Sequence, residues 1–442
     1  MTAGPAGDTT NPTTVAPYEV DGPIALGRTT LIEASAGTGK TYALTAICVR
    51  LVAEQGIPIE RILLVTFTRA ATAELRERVR SRLVEAHRHL SESVDPAESD
   101  DPVLTALTRS SDASPCSPEE IDQRRARLSR AVSDFDAATI STIHGFCSQV
   151  RASIGVLAEQ STDSVPTQSE TDLITQVCAD LFFSALSQHD FNPFGNRSLD
   201  NIVDLVQKAR TLTGVEIQAG SGLPSDLATV DLVNRAVDEV ELRLRRQGGQ
   251  SFDSLLVGVR DALRNDTRLV SALRDQFPVA LIDEFQDTDP VQWEIFETVF
   301  AAGLTEAGTL PRALFLVGDP KQAIYSFRGG DIYTYLEAKK TADVRALVTN
   351  QRSDAPVLDA MNRLAADHRY GDADIAYQQV FPSPRHDHRR AVDVRTARPL
   401  PGLVIRTLEL SPKSGIEKTA GSSRRAIAAD LASVVIDLLN HV

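Results

Sequence analysis

A short glycine-rich segment between a strand and a helix constrains this chain more than any other feature. Apolar residues from Thr30 to Ala34 predict a buried strand, and residues 41–53 repeat apolar side chains at helical spacing. The segment that joins them, Ala-Ser-Ala-Gly-Thr-Gly-Lys-Thr, matches the phosphate-binding loop with alanine in place of its first glycine. A second apolar strand at 61–67 and a charged helix at 70–83 follow, so the order predicts a βαβ unit and a parallel sheet.

The chemistry of a phosphate-binding loop assigns a role to each kind of residue in this segment. Small residues let backbone N–H groups close around phosphate oxygens, and the helix N-terminus adds a favourable dipole. Lys40 is expected to reach the β and γ phosphates, and the Thr41 hydroxyl is expected to ligate Mg²⁺. A chance glycine turn is the alternative, but strand and helix flank the segment as the loop requires. The predicted nucleotide-binding residues are Ala34, Ser35, Ala36, Gly37, Thr38, Gly39, Lys40 and Thr41.

Two adjacent carboxylates follow an apolar strand in the segment from Leu281 to Asp287. Asp283 is expected to hold Mg²⁺ through water, and Glu284 is expected to orient and deprotonate the attacking water. Acidic residues at a strand end can also be turn formers, but here they occur in a chain with a phosphate-binding loop. Together the two segments predict a P-loop NTPase, without choosing among kinases, transporters, switches and motors.

A third segment, Gly318 to Gly330, combines a polar residue, two aromatic residues and an arginine after another buried strand. Gln322 is expected to contact the γ-phosphate. Tyr325 and Phe327 offer flat faces for unpaired bases, and Arg328 can reach the nucleic-acid backbone, which is the combination that binds single strands. The alternative is that the aromatic rings pack beneath a loop. This segment favours a nucleic-acid motor over a P-loop kinase or metabolite ATPase.

Six segments in this order resemble the UvrD/RecB-like family of superfamily 1 DNA helicases, and most of all its RecB-type members. The resemblance covers about residues 30–364. It implies a RecA-like fold, ATP and Mg²⁺ as cofactors, and single-stranded DNA as a partner. The matching segments are Glu33–Thr41, Thr66–Ala71, Ser141–Cys147, Leu281–Asp287, Gly318–Gly330 and Asn350–Ser353.

The resemblance also implies a path for single-stranded DNA. Thr66, Phe67 and Thr68 are expected to lie along it, with Thr142 and His144 further along the same groove. Hydroxyls and backbone N–H groups suit phosphate oxygens. For Phe67 and His144, packing in the core is the alternative, because apolar strand ends and lone histidines are often structural.

One further role comes from the resemblance alone. The family's arginine at the position of Arg352 contacts the γ-phosphate from the second motor domain, so Arg352 is expected to sense ATP and stabilise transition-state charge. An exposed arginine at a helix start is the alternative. The family usually has an aromatic residue where this chain has Gln351, which weakens stacking on adenine.

The predicted fold class is α/β, with a RecA-like P-loop NTPase domain on a parallel sheet, a mostly helical insertion and an incomplete second RecA-like domain. Residues 91–119 are acidic and rich in Ser, Asp and Pro, which predicts a loop or a poorly ordered insertion. Helical patterns are expected at 121–157, 169–186, 227–262, 355–366 and 423–439, and strands at 279–282, 313–317, 346–348 and 403–408. The predicted domains are a disordered start at 1–20, the first RecA-like domain at 21–90 and 266–344, the insertion at 91–265, and the start of the second domain at 345–442.

Composition limits the partners that the chain can have. The formal net charge is −14, so DNA must be bound in a local groove and not by attraction to the whole surface. Four scattered cysteines fit no zinc or disulfide pattern and predict reduced thiols. No apolar run reaches the ~18 residues of a membrane span, which predicts a cytoplasmic protein. The resemblance to DNA helicases implies that it is associated with the nucleoid.

The function expected from the resemblance is an ATP-dependent 3′ to 5′ DNA helicase or translocase that acts in double-strand-break repair and recombination. DNA ends, single-stranded DNA and RecC-like and RecD-like subunits are the expected partners. The family's last two helicase motifs do not precede Val442, so the chain alone is expected to bind ATP, Mg²⁺ and single-stranded DNA but to unwind poorly. The alternative is a non-catalytic, ATP-gated module that binds single-stranded DNA or another protein.

Overall fold

The structure is a computed structural model of the 442-residue chain, which divides into two compact units. The larger unit comprises Tyr18–Glu33 and Lys40–Arg345, and the smaller unit comprises Met1–Pro17, Ala34–Gly39 and Ala346–Val442. The residues described are 15–91, 99–110, 114–158, 170–211, 217–246, 252–302, 304, 311–324, 330–386, 392–396, 398–407 and 420–441.

A six-stranded sheet in the order β3-β2-β4-β5-β1-β6 organises the fold. In four of these strands nearly every residue is buried, as expected for strands of a parallel sheet that is covered on both faces. The strands expected at 279–282 and 313–317 are confirmed. The strands are β1 (Thr29–Ala34), β2 (Ile62–Thr66), β3 (Thr139–Thr142), β4 (Val279–Ile282), β5 (Ala313–Gly318) and β6 (Asp343–Leu347).

The pairings from β3 to β1 are all parallel, so the carboxyl ends of these strands meet at one edge of the sheet. Thr66 of β2 is the register partner of Thr142 of β3. At the other side Glu33 of β1 is opposite Gly318 of β5. Residues that follow these strands are therefore placed side by side, although they are far apart in the chain.

Strand β3 corrects the helical interpretation of residues 121–157. Thr139–Thr142 is a sheet strand, which lies between the helices Pro118–Ser133 and Ile143–Ala158. Its sequence, Thr-Ile-Ser-Thr, is rich in β-branched residues but too short for its periodicity to be read against the helices on either side. Pairing with β2 decides its structure.

Helices cover the sheet and account for most of the remaining chain of the larger unit. The expected loop at 91–119 contains a short helix, Pro102–Ala106, capped by Asp101, and the start of another; residues 92–98 and 111–113 lie outside the described residues. The first six helices are α1 (Lys40–Ala53), α2 (Arg69–Ser91), α3 (Pro102–Ala106), α4 (Pro118–Ser133), α5 (Ile143–Ala158) and α6 (Glu170–Ser187). The next six are α7 (Leu199–Thr211), α8 (Pro224–Arg246), α9 (Phe252–Asn265), α10 (Thr267–Gln276), α11 (Pro290–Phe296) and α12 (Ile332–Thr341).

Two apolar cores support these helices. Phe146 of α5 lies within 6.4 Å, between ring centroids, of three phenylalanines near α10 and α11. Helices α6, α7 and α8 enclose a second core that includes Val177, Ile202 and Val240, all fully buried. The helix expected at 169–186 is confirmed as α6, and the helical pattern expected at 227–262 is confirmed as two helices, α8 and α9, with residues 247–251 outside the described residues; α7 was not expected.

The smaller unit contains less regular structure. Its elements are β7 (Thr349–Asn350), α13 (Ala355–Ala365), β8 (Phe381–Pro382), β9 (Val392–Asp393), β10 (Arg398–Pro399) and α14 (Ala420–His441). Strands β7 and β8 are parallel, and β9 and β10 are antiparallel.

Several expectations fall in this unit. The helices expected at 355–366 and 423–439 are confirmed as α13 and α14. The strand expected at 403–408 is wrong for residues 403–407, which pair with no strand among the described residues, and Leu408 lies outside them. The disordered start expected at 1–20 falls mainly on residues 1–14, also outside the described residues, whereas Pro17 bridges to Ala346.

Across the described residues, no helix is both long enough and apolar enough to cross a membrane.

Candidate active site

The glycine-rich loop follows β1, as its sequence predicts. Gly37 has φ +82° and Gly39 has φ +94°, a left-handed backbone that glycine adopts without strain. The Thr38 hydroxyl donates to the carbonyl oxygen of Ser35 at 2.7 Å, and the Thr38 N–H donates to the same oxygen at 3.1 Å. These bonds close the loop into a tight turn, which is the backbone shape that gathers N–H groups around an anion.

Within the smaller unit, the buried side chain of Asn350 holds this loop. Its Nδ2 donates to the carbonyl oxygen of Ala36 at 3.0 Å, while its Oδ1 accepts from the N–H groups of Arg352 and Ser353, both at 2.9 Å. A Cβ atom on Gly37 would lie 2.9 Å from Asn350 Nδ2, so a larger residue has no room there. Arg352 is exposed beside the loop, which suits a cation that meets phosphate.

Lys40 lies at the start of α1 in the larger unit and forms an ion pair with Glu284. The distance from Lys40 Nζ to Glu284 Oε2 is 2.7 Å. Glu284 follows β4 with φ +51° and ψ +43°, a left-handed conformation that costs a non-glycine residue about 1–3 kcal/mol. The fold thus holds this carboxylate in a strained turn that points it to the lysine of the loop.

Asp283 precedes Glu284 and carries a perturbed carboxyl group. Burial, and then the negative charge of Glu284, raise its pKa to about 6, while the charge of Lys40 acts in the opposite direction. Its Oδ1 accepts from the N–H of Glu284 at 2.9 Å. A divalent cation would relieve this excess of negative charge, and the oxygens of Asp283 and Thr41 are the donors that could hold it.

A third carboxylate, Asp287, lies in the same turn. It is 5% exposed, and burial, together with the charge of Glu284, raises its pKa to about 6. Its Oδ2 accepts from Gln286 Nε2 at 3.2 Å, whereas its Oδ1 has no hydrogen-bond partner among the described residues. The turn after β4 therefore concentrates three acidic groups around one lysine.

Gln286 joins this turn to the segment after β5, and sequence reasoning assigned it no role. Its Nε2 donates to Glu284 Oε2 at 2.9 Å, and its Oε1 accepts from the N–H of Asp319 at 2.9 Å. Asp319 Oδ2 in turn accepts from Gln322 Nε2 at 2.7 Å. A continuous chain of polar contacts thus connects Lys40 with Gln322. An uncharged amide between acidic residues was the one signal of this role in the sequence.

Contacts through Gln286 and Asp319 connect the predicted catalytic residues Glu284 and Gln322, while part of the Gly318 segment lies outside the described residues. Gln322 lies in a short turn, Pro320–Gln322, that begins at Asp319. Tyr325, Phe327 and Arg328 lie outside the described residues.

Glu33 is a second residue to which sequence reasoning assigned no separate role. It lies near the end of β1, just before the loop, and is 7% exposed. Its Oε1 accepts from the Tyr335 hydroxyl at 3.2 Å and from Lys339 Nζ at 2.7 Å, both on α12. The buried carboxylate thereby fixes the end of β1 to the helix that follows the Gly318 segment.

The residues expected along the DNA path lie at the ends of β2 and β3. Thr66 is buried, and its hydroxyl contacts the Thr72 hydroxyl at 2.6 Å, so it is engaged within the protein. Thr68 is exposed, and its Oγ1 accepts from the N–H of Ala71 at the start of α2. Thr142 is half-buried, and its Oγ1 accepts from the N–H of Gly145. Threonine side chains thus line this edge, with Thr68 the most accessible.

The two residues for which core packing was the alternative, Phe67 and His144, are both half-buried at the same edge. Burial lowers the pKa of His144, which favours a neutral ring at physiological pH. Neither residue belongs to the fully buried core, so both keep a face at the surface where the expected groove would lie.

Comparison with known proteins gives matches over most of the chain. The UvrD/REP helicase N-terminal domain family matches residues 21–343. The RecBCD enzyme subunit RecB of Mycobacterium tuberculosis is 35% identical over 427 residues, or 96% of this chain, and that of Mycolicibacterium smegmatis is 35% identical over 434 residues. The protein of the same name from Escherichia coli is 28% identical over 465 residues, covering 76% of this chain. The chain spans 37% of the length of each of these relatives.

Proposed function

The chain belongs to the UvrD/REP helicase family, and from this premise we propose that it is the ATP-binding part of a RecB-type DNA motor. The resemblance drawn from the six sequence segments is confirmed by the family match and by the similarity to RecB subunits. We propose that the motor hydrolyses ATP with Mg²⁺ while it holds single-stranded DNA. Movement from 3′ to 5′ and a role in the repair of broken DNA ends are part of the same proposal.

The observation that carries this proposal is the common carboxyl edge of the sheet. Strands β4 and β5 lead into Glu284 and Asp319, and the neighbouring strands β2 and β3 end at Thr66 and Thr142. Neighbouring strands are separated by ~4.8 Å, so groups suited to phosphate transfer adjoin groups suited to a nucleic-acid backbone. In open α/β sheets, ligands bind at this edge.

In the proposed reaction each residue has a task that its position supports. Lys40 and the N–H groups of the loop bind phosphate oxygens, and Glu284 takes the proton of the attacking water. Gln322 contacts the γ-phosphate, and Arg352 stabilises the charge that develops on it. Mg²⁺, held by Thr41 and Asp283, would neutralise charge on the phosphates.

For domain organisation we propose that residues 21–90 and 266–344 form the first RecA-like domain and that 345–442 begin the second. The insertion at 91–265 is then divided by β3, which returns the chain to the sheet. We also propose, from the name of the similar subunits, that the full protein acts at the nucleoid with RecC-like and RecD-like partners.

The test is ATP hydrolysis by the purified 442-residue chain, with and without single-stranded DNA. DNA-stimulated hydrolysis that is lost in both Lys40→Ala and Glu284→Gln would support the proposal and exclude a contaminating ATPase. Glu284→Gln should still bind nucleotide, whereas Lys40→Ala should bind it weakly. Tight ATP binding with no stimulated hydrolysis in the wild type would overturn catalysis and leave the ATP-gated module.

A further inference from the structure

We propose that Gln286 is a positioning residue that holds Glu284 for hydrolysis and couples it to the segment that begins at Gly318. This inference rests on the proposed function, because it assigns a regulatory link to the same site. It concerns how binding of DNA would increase the rate of hydrolysis.

The Gln286 amide forms hydrogen bonds through both its nitrogen and its oxygen. Gln286 is 2% exposed. Its Nε2 donates to Glu284 Oε2 at 2.9 Å and to Asp287 Oδ2 at 3.2 Å. Its Oε1 accepts from the N–H of Asp319 at 2.9 Å. Only an amide of this length supplies two N–H donors and an acceptor in one side chain. A carboxylate would lose the donors, and an apolar side chain would lose all three contacts.

Lys40 Nζ and Gln286 Nε2 both bind Glu284 Oε2, at 2.7 Å and 2.9 Å. A lysine that turns to phosphate oxygens weakens its contact with this carboxylate, and Gln286 is then the remaining side-chain donor to it among the described contacts. Glu284 occupies strained left-handed backbone, so a fixed partner matters more for its orientation than at a relaxed position.

The oxygen of the Gln286 amide contacts Asp319, in the segment after β5. Asp319 accepts from Gln322 Nε2 and forms an ion pair with Lys321 at 2.7 Å, so it anchors the short turn after β5. Any movement of this turn displaces the Asp319 N–H, which Gln286 contacts directly. The segment beyond the turn carries the aromatic residues proposed to stack on bases. DNA bound there can thereby change the orientation of Glu284 through one side chain.

The close approach of β5 supports this link independently. A Cβ atom on Gly318 would lie 2.7 Å from Gln286 Oε1 and 3.2 Å from the Gln286 backbone nitrogen. The φ angle at residue 318 does not require glycine. The packing requires glycine there because of its small size. The end of β5 is shaped around this amide.

The experiment compares Gln286→Met with Gln292→Met in the full chain. Gln292 is a matched control because it is also buried, at 5%, and belongs to the same region, but its side chain completes the capping box of α11 with Asp289. For each protein we would measure kcat and KM of hydrolysis with and without single-stranded DNA, the Kd of a fluorescent ATP analogue, and the melting temperature.

We expect Gln286→Met to lower the DNA-stimulated kcat by about 100-fold, since misplacement of a catalytic group by ~1 Å costs a factor of this order. The Kd of the analogue should stay unchanged, because the phosphate-binding loop and Lys40 are intact. Gln292→Met should lower the melting temperature but leave kcat unchanged. A purely structural role for Gln286 would instead lower the melting temperature and weaken nucleotide binding together.

The outcomes separate this inference from the proposed function. If Gln286→Met retains the full DNA stimulation of hydrolysis seen in the wild type, the inference is overturned and the proposed function is left intact. A wild type that shows no DNA-stimulated hydrolysis would overturn the function and this inference with it. A fall in kcat that Gln292→Met reproduces would also overturn it, because the effect would then be a general one of buried amides.

Discussion

At the scale of single residues, the site is built from groups whose charges the fold leaves only partly compensated. Asp283 and Asp287 both have a pKa raised to about 6 by burial, and both lie in the turn that carries Glu284. Such a cluster disfavours the folded state at neutral pH and is characteristic of sites that bind cations or perform acid–base chemistry. The stability of the fold and the proposed chemistry therefore oppose each other at this turn.

The pH dependence of this effect on the stability of the fold can be tested at Asp287. The pKa of this carboxyl is raised from its ordinary value of 3.8 to about 6 in the fold, so the folded state binds the proton more tightly than the unfolded state. The contribution to stability is complete below pH ~4 and is lost as the pH rises through ~6. Asp287→Asn should raise the free energy of unfolding at pH 7.5 by at most about 3 kcal/mol, with no gain at pH 4.

Denaturant unfolding at pH 4, 5.5 and 7.5 measures this dependence. Asp266→Asn is the control of opposite sign, since hydrogen bonds from Arg268 lower the pKa of that exposed carboxyl. Asp266 should favour the folded state above the pKa of its unfolded form and lose this effect as the pH falls. If Asp287→Asn raises the free energy of unfolding equally at all three pH values, the raised pKa of Asp287 is contradicted.

The cysteines give a second prediction at this scale. All four are free, as their spacing predicted, and burial raises the pKa of Cys48 and Cys147 to about 12 and of Cys178 and Cys116 to about 11. At pH 8 a thiol of pKa 11 is ~0.1% thiolate, so alkylation by iodoacetamide should be about 100-fold slower than for free cysteine.

Cys116 should react first, because it is half-buried while the other three are buried. Mass spectrometry after timed alkylation of the native protein would locate the modified residue. Cys116→Ser should then abolish early labelling, and unfolding in guanidinium should expose the rest. Rapid native labelling at Cys48 or Cys147 would contradict this order.

At the scale of elements, the sequence predicted those strands that are buried on both faces and failed where a neighbour decides the structure. Strands β4 and β5 are continuous apolar runs, which the sequence shows directly. Strand β3 has four residues, three of them polar, and is a strand because β2 pairs with it. Residues 403–407 begin with an apolar run like those of β4 and β5. They have no neighbour to pair with among the described residues, so no strand forms.

The candidate site shows the same contrast between what local sequence indicates and what the arrangement of the strands decides. The sequence predicted Lys40, Asp283, Glu284 and Gln322 because their chemistry follows from motif position. It assigned no role to Gln286, although this residue contacts Glu284. A buried amide is recognised by its partners, and those partners are brought together only when the strands are arranged.

Asn350 gives the prediction at the scale of elements, since it joins β7 to the phosphate-binding loop within the smaller unit. Asn350→Ala removes the contacts to the carbonyl of Ala36 and to the N–H groups of Arg352 and Ser353. A buried polar group left without its partner costs about 1–3 kcal/mol, so nucleotide binding should weaken by about tenfold.

Titration with a fluorescent ATP analogue would measure this loss. Asn362→Ala is the matched control, because Asn362 donates to Val380 and accepts from Tyr377 in the same unit without contact with the loop. It should lower stability and leave nucleotide affinity unchanged. Equal affinity in the wild type and Asn350→Ala would show that the loop keeps its shape without this side chain.

At the scale of the whole molecule, the strand order brings the starts of five of the six motif segments to one edge of the sheet, while Asn350–Ser353 belongs to the smaller unit. The identity and order of these segments, and hence the family, can be read from the sequence. The spatial order β3-β2-β4-β5-β1 cannot, although it places Thr66 and Thr142 on one side of the carboxylates and the end of β1 on the other. Loop closure and pairing between distant segments determine that order, and no local pattern encodes it.

The net charge of −14 leads to the last prediction, on how salt affects DNA binding. A protein that binds single strands through many cations loses affinity steeply with salt, with a slope of about −0.7 per neutralised phosphate. Here threonine hydroxyls, backbone N–H groups and the proposed stacking would supply the contacts, so the slope of log K against log salt should be shallower than about −3. Fluorescence anisotropy of a labelled oligothymidine between 50 and 300 mM NaCl would measure this slope.

Two variants serve as controls for the proposed path. Thr68→Ala should weaken DNA binding without changing the slope, because a neutral hydroxyl releases no counterion. Lys40→Ala should change neither the DNA affinity nor the slope. A slope steeper than about −5 would instead indicate a groove lined by many lysines and arginines, and the proposed path along β2 and β3 would then be wrong.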